Sequence, residues 1–375
     1  MYQPTRYLRW ARRFYGLVPF DLATSGIATV ARSELGAPAS SDDPAGWHLY
    51  REAIARYTDA PPAEVIATLG TTQALWLAYT ALLSPGDEVL VERPGYEPLE
   101  RIAEGVGGRV VSFERSRASG YAIDPAAIER AMTDRTRVVV VTNLHNPSGV
   151  RASDAALRDV ARLAESRGAY LLVAEVYAPF DAIVDSAGVF RSSARKLGPN
   201  VIVASSLTKC FGLGPQRFGW MVAPADVIRR AEDAMDSLCS SLPLAYAHEG
   251  LHALSRIEFL ADRARRLLAG KRARVAAWVA AQPDLTWSAP TEGLFGFVVR
   301  DARSGAGTPG AGARGSRGDD LDLLARIERG AKELGVLVAP GVFFGVPNGF
   351  RLAWSIEDAK LDEGLDRLAR VLARG

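Results

Sequence analysis

Between residues 50 and 230 the sequence alternates short β-branched runs with amphipathic helical patterns, and this alternation limits the possible folds more than any other feature. The apolar runs are VIATLG, DEVLVE, RVVVVTN, AYLLVAEVY and NVIVASS, and helical patterns such as TTQALWLAYTALL and SDAALRDVARLAESRG separate them. Strands joined through helices at this spacing run parallel, with right-handed crossovers and helices on both faces. The sequence therefore predicts a large α/β domain with a mostly parallel sheet.

A second, smaller α+β domain is predicted from the C-terminal part of the chain. A long helical stretch over residues 245–282 leads to the strand patterns LTWSAP, LFGFVVR and GFRLAWS, with helical patterns between and after them. We divide the chain into an N-terminal arm (1–40), a large domain (41–265) and a small domain (266–375). The glycine- and serine-rich segment 302–319 is predicted to be a solvated insertion. Its literal GxGxxG opens no βαβ helix, so it does not indicate dinucleotide binding.

Composition excludes several classes of partner. The 45 basic and 43 acidic side chains leave a formal charge of +2, which is too balanced for the basic face that a phosphate backbone requires. Cys210 and Cys239 are too few for the disulfide framework of a small secreted domain. The N-terminal MYQPTRYLRWARRFYG has no secretory apolar core, and no apolar stretch approaches the roughly 18 residues of a membrane span. We therefore expect a cytoplasmic protein without nucleic-acid or membrane partners.

Lysine is rare in this chain, with five lysines against forty arginines. A lysine beside an apolar run is therefore a candidate functional residue. Lys209 follows the run NVIVASS, with Ser206 and Thr208 before it and Arg217 eight residues after it. Burial and a nearby arginine disfavour the ammonium form, which leaves the amine able to attack a carbonyl. The hydroxyls and the guanidinium suit a phosphate. The segment predicts a lysine that forms an imine with a phosphorylated aldehyde.

A second phosphate feature lies upstream, where the strand pattern VIATLG runs into the helical pattern TTQALWLAYTALL. Gly70, Thr71 and Thr72 stand at this junction. The exposed N–H groups of a helix N-terminus, with two hydroxyls and a glycine, make an anion site.

Six segments resemble, in order and in approximate spacing, those of the class I/II aminotransferases, which are fold-type I pyridoxal-phosphate enzymes. They are the GTTQA turn, RPGYEP, HNPSG, AEVY, SLTKCFGLGPQRFGW and GFRLAWS. The resemblance covers nearly the whole chain from Asp21 onward, and the segment around the lysine is its most specific part. It implies pyridoxal 5'-phosphate as the cofactor, an α-amino acid and a 2-oxo acid as substrates, and a homodimer.

The resemblance implies roles for ten residues of this chain. Lys209 would form the Schiff base and then move the proton between the substrate Cα and C4′ of the cofactor. Arg351 would bind the substrate α-carboxylate through a bidentate ion pair. Gly26 would let the backbone approach the substrate. The residues implied to hold the cofactor are Thr71, Thr72, Ser206 and Arg217 at its phosphate, Tyr96 on its ring, and Asn146 and Tyr177 at its phenolic oxygen.

The sequence departs from the family at two places. In the family, an aspartate that pairs with the protonated pyridine nitrogen stands 28 residues after the asparagine of the HNPSG segment, and that place is Ala174 here. The hydrogen bond between this aspartate and the pyridine nitrogen is worth about 2 to 4 kcal/mol. Its loss would slow the proton transfer between Cα and C4′ about 30- to 1000-fold if nothing replaces it. Adjacent strand residues face opposite sides, so we expect Glu175 to point away from the ring. The second departure is Ser41, which falls near the position where the family has a tyrosine that contacts the cofactor phosphate of the other subunit.

Three alternatives remain open at this point. The first is a lyase or racemase of the same fold, which Ala174 favours because a neutral pyridine changes the fate of the Cα carbanion. His145 also favours it, because the HNPSG motif occurs in carbon–sulfur lyases as well. A zinc hydrolase is the remote alternative, because His248, Glu249 and His252 form a literal HExxH on a predicted helix, although no third ligand stands out. A binding module, as in transcription regulators of this fold, is disfavoured by the short segment before the resemblance.

Overall fold

The computed structural model describes residues 2–38, 42–182, 185–301 and 317–373. Ser41 and most of the predicted insertion lie outside the described residues, so the structure does not test the predictions made for them.

The described residues form thirteen strands and fourteen α-helices. The strands are β1 (Phe20–Asp21), β2 (Val65–Leu69), β3 (Glu88–Arg93), β4 (Arg109–Glu114), β5 (Thr136–Thr142), β6 (Tyr170–Ala174), β7 (Val201–Ser206), β8 (Phe218–Val222), β9 (Leu285–Trp287), β10 (Phe295–Arg300), β11 (Val336–Leu337), β12 (Ala339–Pro340) and β13 (Gly349–Ala353). The helices are α1 (Arg6–Ala11), α2 (Arg32–Leu35), α3 (Ala45–Thr58), α4 (Thr71–Leu82), α5 (Pro98–Gly105), α6 (Pro125–Ala131), α7 (Asp154–Ser166), α8 (Pro179–Ala182), α9 (Ala225–Cys239), α10 (Leu244–Ser255), α11 (Ile257–Leu268), α12 (Lys271–Ala280), α13 (Arg317–Glu333) and α14 (Asp358–Ala373).

Seven strands form the large sheet, in the order β2-β8-β7-β6-β5-β3-β4. The pairs β7–β6, β6–β5, β5–β3 and β3–β4 are parallel, whereas β8 runs antiparallel to both of its neighbours. Parallel neighbours need crossover connections, and α5 and α7 provide two of them, between β3 and β4 and between β5 and β6. The predicted α/β fold with a mostly parallel sheet is confirmed.

Apolar clusters cover both faces of the large sheet. Side chains of α3, α7, α10 and α11 pack on one face, and side chains of α4, α5 and α9 pack on the other. The four consecutive valines of β5, residues 138–141, are fully buried. Strands buried on both faces read as continuous apolar runs, which is why these segments were recognisable in the sequence.

A second, antiparallel sheet has the strand order β12-β13-β10-β9. The N-terminal arm reaches this part of the chain, because β1 pairs in parallel with β11. Tyr7 and Trp10 of α1 also belong to the apolar cluster formed by β10, β13, α13 and α14. The domain boundaries predicted after residues 40 and 265 remain a proposal.

The helical stretch of residues 245–282 is divided into α10, α11 and α12. Arg256, with φ −107° and ψ 17°, separates α10 from α11. Gly270, with φ +74°, precedes α12 in a conformation that glycine adopts without strain. Within the described ranges, every helix is too short or too polar to cross a membrane.

Candidate active site

Four predicted site residues follow strands of the large sheet at the edge where those strands end. Thr71 follows β2, Asn146 follows the end of β5, Tyr177 follows β6 and Lys209 follows β7. In open α/β sheets, ligands bind outside the carboxyl ends of the strands. The fold therefore brings residues that are far apart in sequence to one edge.

An anion cradle forms where β2 runs into α4. The helix begins at Thr71, and its N-cap Gly70 has φ +81° and no capping side chain, so the first N–H groups of the helix are left for an outside acceptor. Thr71 donates its hydroxyl to Ser206 Oγ at 3.2 Å. The Arg217 guanidinium lies over the turn, because a Cβ added to Gly70 would lie 2.5 Å from Arg217 Nη2. We define the anion cradle as Gly70, Thr71, Ser206, Thr208 and Arg217.

Polar groups of the anion cradle lack partners within the described part of the chain. Thr208 Oγ1 is buried without a hydrogen-bond partner there, and Arg217 forms no ion pair with a carboxylate of those residues. Thr72 lies on the same first turn of α4 and is exposed. A phosphate dianion supplies the acceptors and the negative charge that these groups lack, so the cradle fits a phosphate group.

Lys209 lies beside the anion cradle and against Gly26. A Cβ added to Gly26 would lie 3.5 Å from Lys209 Cδ, and the Ile27 N–H donates to the Lys209 carbonyl at 3.1 Å. Burial, together with the positive charges of Arg351 and Arg217, lowers the pKa of the Lys209 amine to about 8, and burial is the largest of these causes. The amine is therefore neutral, and nucleophilic, in about half of the molecules near pH 8.

Arg351, in β13, carries a fully buried guanidinium that forms no ion pair with a carboxylate of the described residues. Its Nη1 donates to Asn146 Oδ1 at 2.8 Å, and its Nη2 donates to the Tyr7 hydroxyl at 2.7 Å and the Ala23 carbonyl at 2.9 Å. Its Nε has no hydrogen-bond partner among the same residues. A buried charge with an unpaired donor is costly unless an anion completes it, so this side chain suits a carboxylate ligand.

Two tyrosines complete the group of predicted residues. Tyr177 is buried and donates its hydroxyl to Ser25 Oγ at 2.9 Å, and burial raises its pKa to about 12. Tyr96 is half-buried and meets Tyr7 edge to face at 6.3 Å between ring centroids. Burial also raises the pKa of Tyr96. Both phenols therefore stay protonated at neutral pH and remain hydrogen-bond donors.

Ala174 and Glu175 face opposite sides of the large sheet. Ala174 is 4% exposed and packs with Leu172 and Ala204 in the cluster on the α4 side. The Glu175 carboxylate instead accepts from Ser193 Oγ at 2.6 Å and from the Ala194 N–H at 2.9 Å. The structure therefore places Glu175 as strand geometry predicts, and its carboxylate does not replace an aspartate at position 174.

The family model described as aminotransferase class I and II matches residues 27–368. The chain belongs to this family. Its cofactor is pyridoxal phosphate, and its fold is that of the family's fold-type I enzymes.

The proteins similar to this aminotransferase-family chain include enzymes named for different reactions. The aspartate/prephenate aminotransferase of Thermus thermophilus is 29% identical over 338 residues, which cover 88% of this chain and 83% of the relative. Capreomycidine synthase of Streptomyces vinaceus is 29% identical over an alignment of 385 positions, which covers 98% of this chain and 94% of the relative. The solved structure of the PLP-dependent cyclase OrfR has a TM-score of 0.82 at 26% identity, with 99% of this chain and 97% of that chain covered.

Two contacts in this family member involve side chains that sequence reasoning missed. The Tyr7 hydroxyl, from α1, accepts from Arg351, and the Ser25 hydroxyl accepts from Tyr177. Because its oxygen accepts from Arg351, Tyr7 keeps its own proton for another acceptor. Neither residue lies in a motif, so no sequence signal indicated these contacts.

Behind Asn146 lies a buried ion pair that the sequence also did not indicate. Arg115 Nη1 and Glu92 Oε2 are 2.8 Å apart, and both side chains are fully buried. Glu92 Oε1 accepts from both the N–H and the hydroxyl of Thr142, and Thr142 Oγ1 accepts from the Asn146 N–H at 2.9 Å. This network holds the backbone of the HNPSG segment at the end of β5.

The two histidines of the HExxH match serve separate contacts. His248 lies against Gly46, where an added Cβ would be 2.6 Å from its Cε1. His252 Nε2 lies 3.1 Å from the Leu35 carbonyl oxygen. No three His, Cys, Asp or Glu side chains of the described ranges come together as a metal site requires, so the structure offers nothing in favour of the zinc hypothesis.

Glu175 gives a prediction for the dependence of stability on pH. Burial raises its pKa from the ordinary 4.5 to about 7, although its hydrogen bonds from Ala194 and Ser193 act in the opposite direction. The folded state therefore holds the proton more tightly, so this group stabilises the fold below about pH 4.5 and loses that stabilisation as pH rises through 7. The loss is about 3 kcal/mol. Glu175→Gln is expected to remove this dependence in urea unfolding at pH 5 and pH 8.

Glu357→Gln is the control for this measurement, because the side chain of Glu357 is 74% exposed. It should leave the pH dependence of the wild type unchanged. An unfolding free energy that falls equally with pH in the wild type and in Glu175→Gln would show that Glu175 is not the group responsible.

Proposed function

We propose that this protein transfers the amino group of an α-amino acid to a 2-oxo acid, with pyridoxal phosphate bound at Lys209. One observation supports this most strongly: the Lys209 amine, with a pKa of about 8, has two cationic neighbours, Arg217 of the anion cradle and the buried guanidinium of Arg351. The first neighbour suits the phosphate of the cofactor, and the second suits the carboxylate of an amino acid. The homodimer expected from the resemblance stays a proposal.

When bound, pyridoxal phosphate supplies an aldehyde that takes up amino groups and a ring that draws electrons from the substrate Cα. We propose that the anion cradle and Thr72 hold its phosphate, and that Tyr96 lies against the ring. Asn146 would donate to its phenolic oxygen, and Tyr177 would do so after its hydroxyl turns away from Ser25. Asn146 is suited to this role because its Oδ1 accepts from Arg351, which leaves its Nδ2 as a donor.

Arg351 and Lys209 would act on the substrate. The free N–H at Nε of Arg351 is a donor for the α-carboxylate, which would fix the orientation of Cα. Lys209, once its amine is free, would take the proton from the substrate Cα and deliver it to C4′ of the cofactor. A neutral amine near pH 8 is a competent base for this step. Gly26 offers no side chain next to Lys209, so its backbone leaves room for the substrate.

A second candidate function is a lyase, racemase or cyclase reaction on the same cofactor. The observation that favours it is Ala174, which packs among apolar side chains where the family places a carboxylate. A ring nitrogen without that partner accepts electrons from Cα less readily. Capreomycidine synthase and the cyclase OrfR are named for reactions other than transamination. Their alignments cover 98% and 99% of this chain, respectively.

Restoring the carboxylate tests whether Ala174 lies beside the cofactor ring. Ala174→Asp places an acid in an apolar cluster, so the cofactor-free protein is expected to lose about 2 to 4 kcal/mol of unfolding free energy. A protonated ring nitrogen would pair with that carboxylate, so adding pyridoxal phosphate should stabilise the variant more than it stabilises the wild type. Thermal unfolding of the free and loaded proteins measures both effects.

Ala164→Asp is the matched control, because Ala164 is fully buried in α7 on the other face of the large sheet. It should destabilise the free and loaded proteins equally. If Ala174→Asp behaves in the same way, position 174 does not face the ring nitrogen, and the second candidate function loses its support.

The proposed transfer is tested by the visible absorption of the loaded protein during addition of a panel of amino acids without any acceptor. With its substrate, the band of bound pyridoxal phosphate should disappear once per site and return when a 2-oxo acid is added. A band that persists with every amino acid would count against the proposal. So would a band that recovers by itself while the amino acid is consumed, which would instead favour the second candidate.

A further inference from the structure

Tyr246, in the first turn of α10, holds three backbone groups around the anion cradle. Its hydroxyl donates to the Thr68 carbonyl at 2.6 Å, with the Arg217 carbonyl as a second acceptor at 3.2 Å. The same oxygen accepts from the Gly219 N–H at 3.3 Å. A phenol has one proton and also accepts through its oxygen, so this single hydroxyl contacts all three backbone groups.

The three backbone groups belong to the segments that form the cradle. Thr68, in β2, also accepts from the Gly70 N–H at 2.8 Å. Gly219, in β8, touches Gly70 directly, because an added Cβ would lie 2.5 Å from Gly70 Cα. Arg217 supplies the guanidinium. Tyr246 therefore links the turn before α4 to the segment that carries the positive charge.

Arg217 needs such a link because its backbone is in the left-handed region, with φ +64°. This conformation costs a non-glycine residue about 1 kcal/mol or more and persists only where the surroundings fix it. The guanidinium lies close enough to Gly70 to exclude even a methyl group there. A rotation of the Arg217 backbone would therefore move the charge away from the N-terminus of α4.

We propose that Tyr246 is a positioning residue for the phosphate of the cofactor. Its hydroxyl fixes the distance between the N-terminus of α4 and the Arg217 guanidinium, and so sets how tightly a phosphate is held. Tyr246 acts through these backbone groups and does not itself touch the cofactor. This inference rests on the proposed binding of pyridoxal phosphate at the anion cradle.

The test compares pyridoxal phosphate with pyridoxal, which has the same aldehyde and ring but no phosphate. Dissociation constants for both are measured on the cofactor-free protein from the visible band. Tyr246→Phe keeps the ring that packs against Tyr50 and Phe218, and it is expected to weaken pyridoxal phosphate about 10- to 100-fold. Binding of pyridoxal should stay within about twofold of the wild type, because only the phosphate contacts change.

Tyr57→Phe is the matched control, since the buried Tyr57 hydroxyl has no hydrogen-bond partner among the described residues. It should change neither dissociation constant. If Tyr246→Phe does not accumulate as folded protein, Tyr246→Leu also removes the hydroxyl and is judged by the same ratio. Thermal unfolding of each cofactor-free variant reports any general loss of stability separately.

Equal weakening of both ligands, or no weakening of either, would overturn the role assigned to Tyr246. The proposed site itself fails in a different way. If the wild type binds pyridoxal as tightly as pyridoxal phosphate, or if Arg217→Ala leaves their ratio unchanged, then the anion cradle does not hold the phosphate.

Discussion

Lys209→Ala is expected to lower the turnover of the loaded protein about 10⁴-fold, which is the largest effect of any single substitution. The substitution removes both the amine that would bind the cofactor aldehyde and the base that would move the Cα proton. The visible band of bound cofactor should be lost in the same variant, while the phosphate contacts of the anion cradle remain. Absorption spectra and single-turnover rates measure the two losses separately.

Lys360→Ala is the control for this substitution, because the Lys360 side chain is 45% exposed and is paired with Glu357. It should leave both the spectrum and the turnover unchanged. The pKa of about 8 adds a second readout, since the neutral amine is the reactive form. Capture of pyridoxal phosphate by the free protein should speed up with rising pH and level off above about pH 8. Turnover or a cofactor band that survives in Lys209→Ala would show that another residue holds the aldehyde.

Arg351→Ala is expected to lower kcat/KM for the amino acid about 10²- to 10³-fold. A charge-assisted pair with a carboxylate in a buried site is worth several kcal/mol, and each 1.4 kcal/mol corresponds to a factor of about ten. The contact recognises the carboxylate alone. An amine that lacks the carboxylate, but is otherwise the same substrate, should therefore react equally slowly with the wild type and with the variant. Steady-state kinetics with the two compounds measure this difference.

Arg351→Lys separates charge from shape at this position. Lysine keeps the positive charge but presents a single ammonium instead of a planar fork, so an intermediate loss is expected. Carboxylate binding by Arg351 would be contradicted if Arg351→Ala slowed the reactions of the amine and of the amino acid by the same factor. That result would mean that the side chain supports the structure of the site through Tyr7 and Asn146 without binding the carboxylate.

Local sequence patterns were sufficient to predict the elements that form the anion cradle. The apolar run VIATLG and the helical pattern after it became β2 and α4, with Gly70 at the junction. The direction of Glu175 followed from the alternation of side chains along β6. These features depend on residues close together in the chain, so periodicity and turn chemistry were enough to predict them.

Contacts between distant segments could not be predicted in this way. The bond from Arg351 to Tyr7 joins residues 344 positions apart, and the bond from Tyr246 to Thr68 joins residues 178 positions apart. The position of β8, antiparallel between β2 and β7, was also not indicated, because its apolar run resembles that of a parallel strand. Such contacts depend on how the elements pack, and one sequence without its fold does not specify that.

The most direct test of amino-group transfer follows the amino nitrogen itself. Protein loaded with pyridoxal phosphate is mixed with a ¹⁵N-labelled substrate amino acid without an acceptor, and the cofactor is then extracted and its mass measured. Transfer of the amino group to the cofactor predicts ¹⁵N-labelled pyridoxamine phosphate in a one-to-one ratio with the 2-oxo acid. Recovery of unlabelled pyridoxal phosphate, with the label in ammonium or in a rearranged amino acid, would contradict transfer of the amino group.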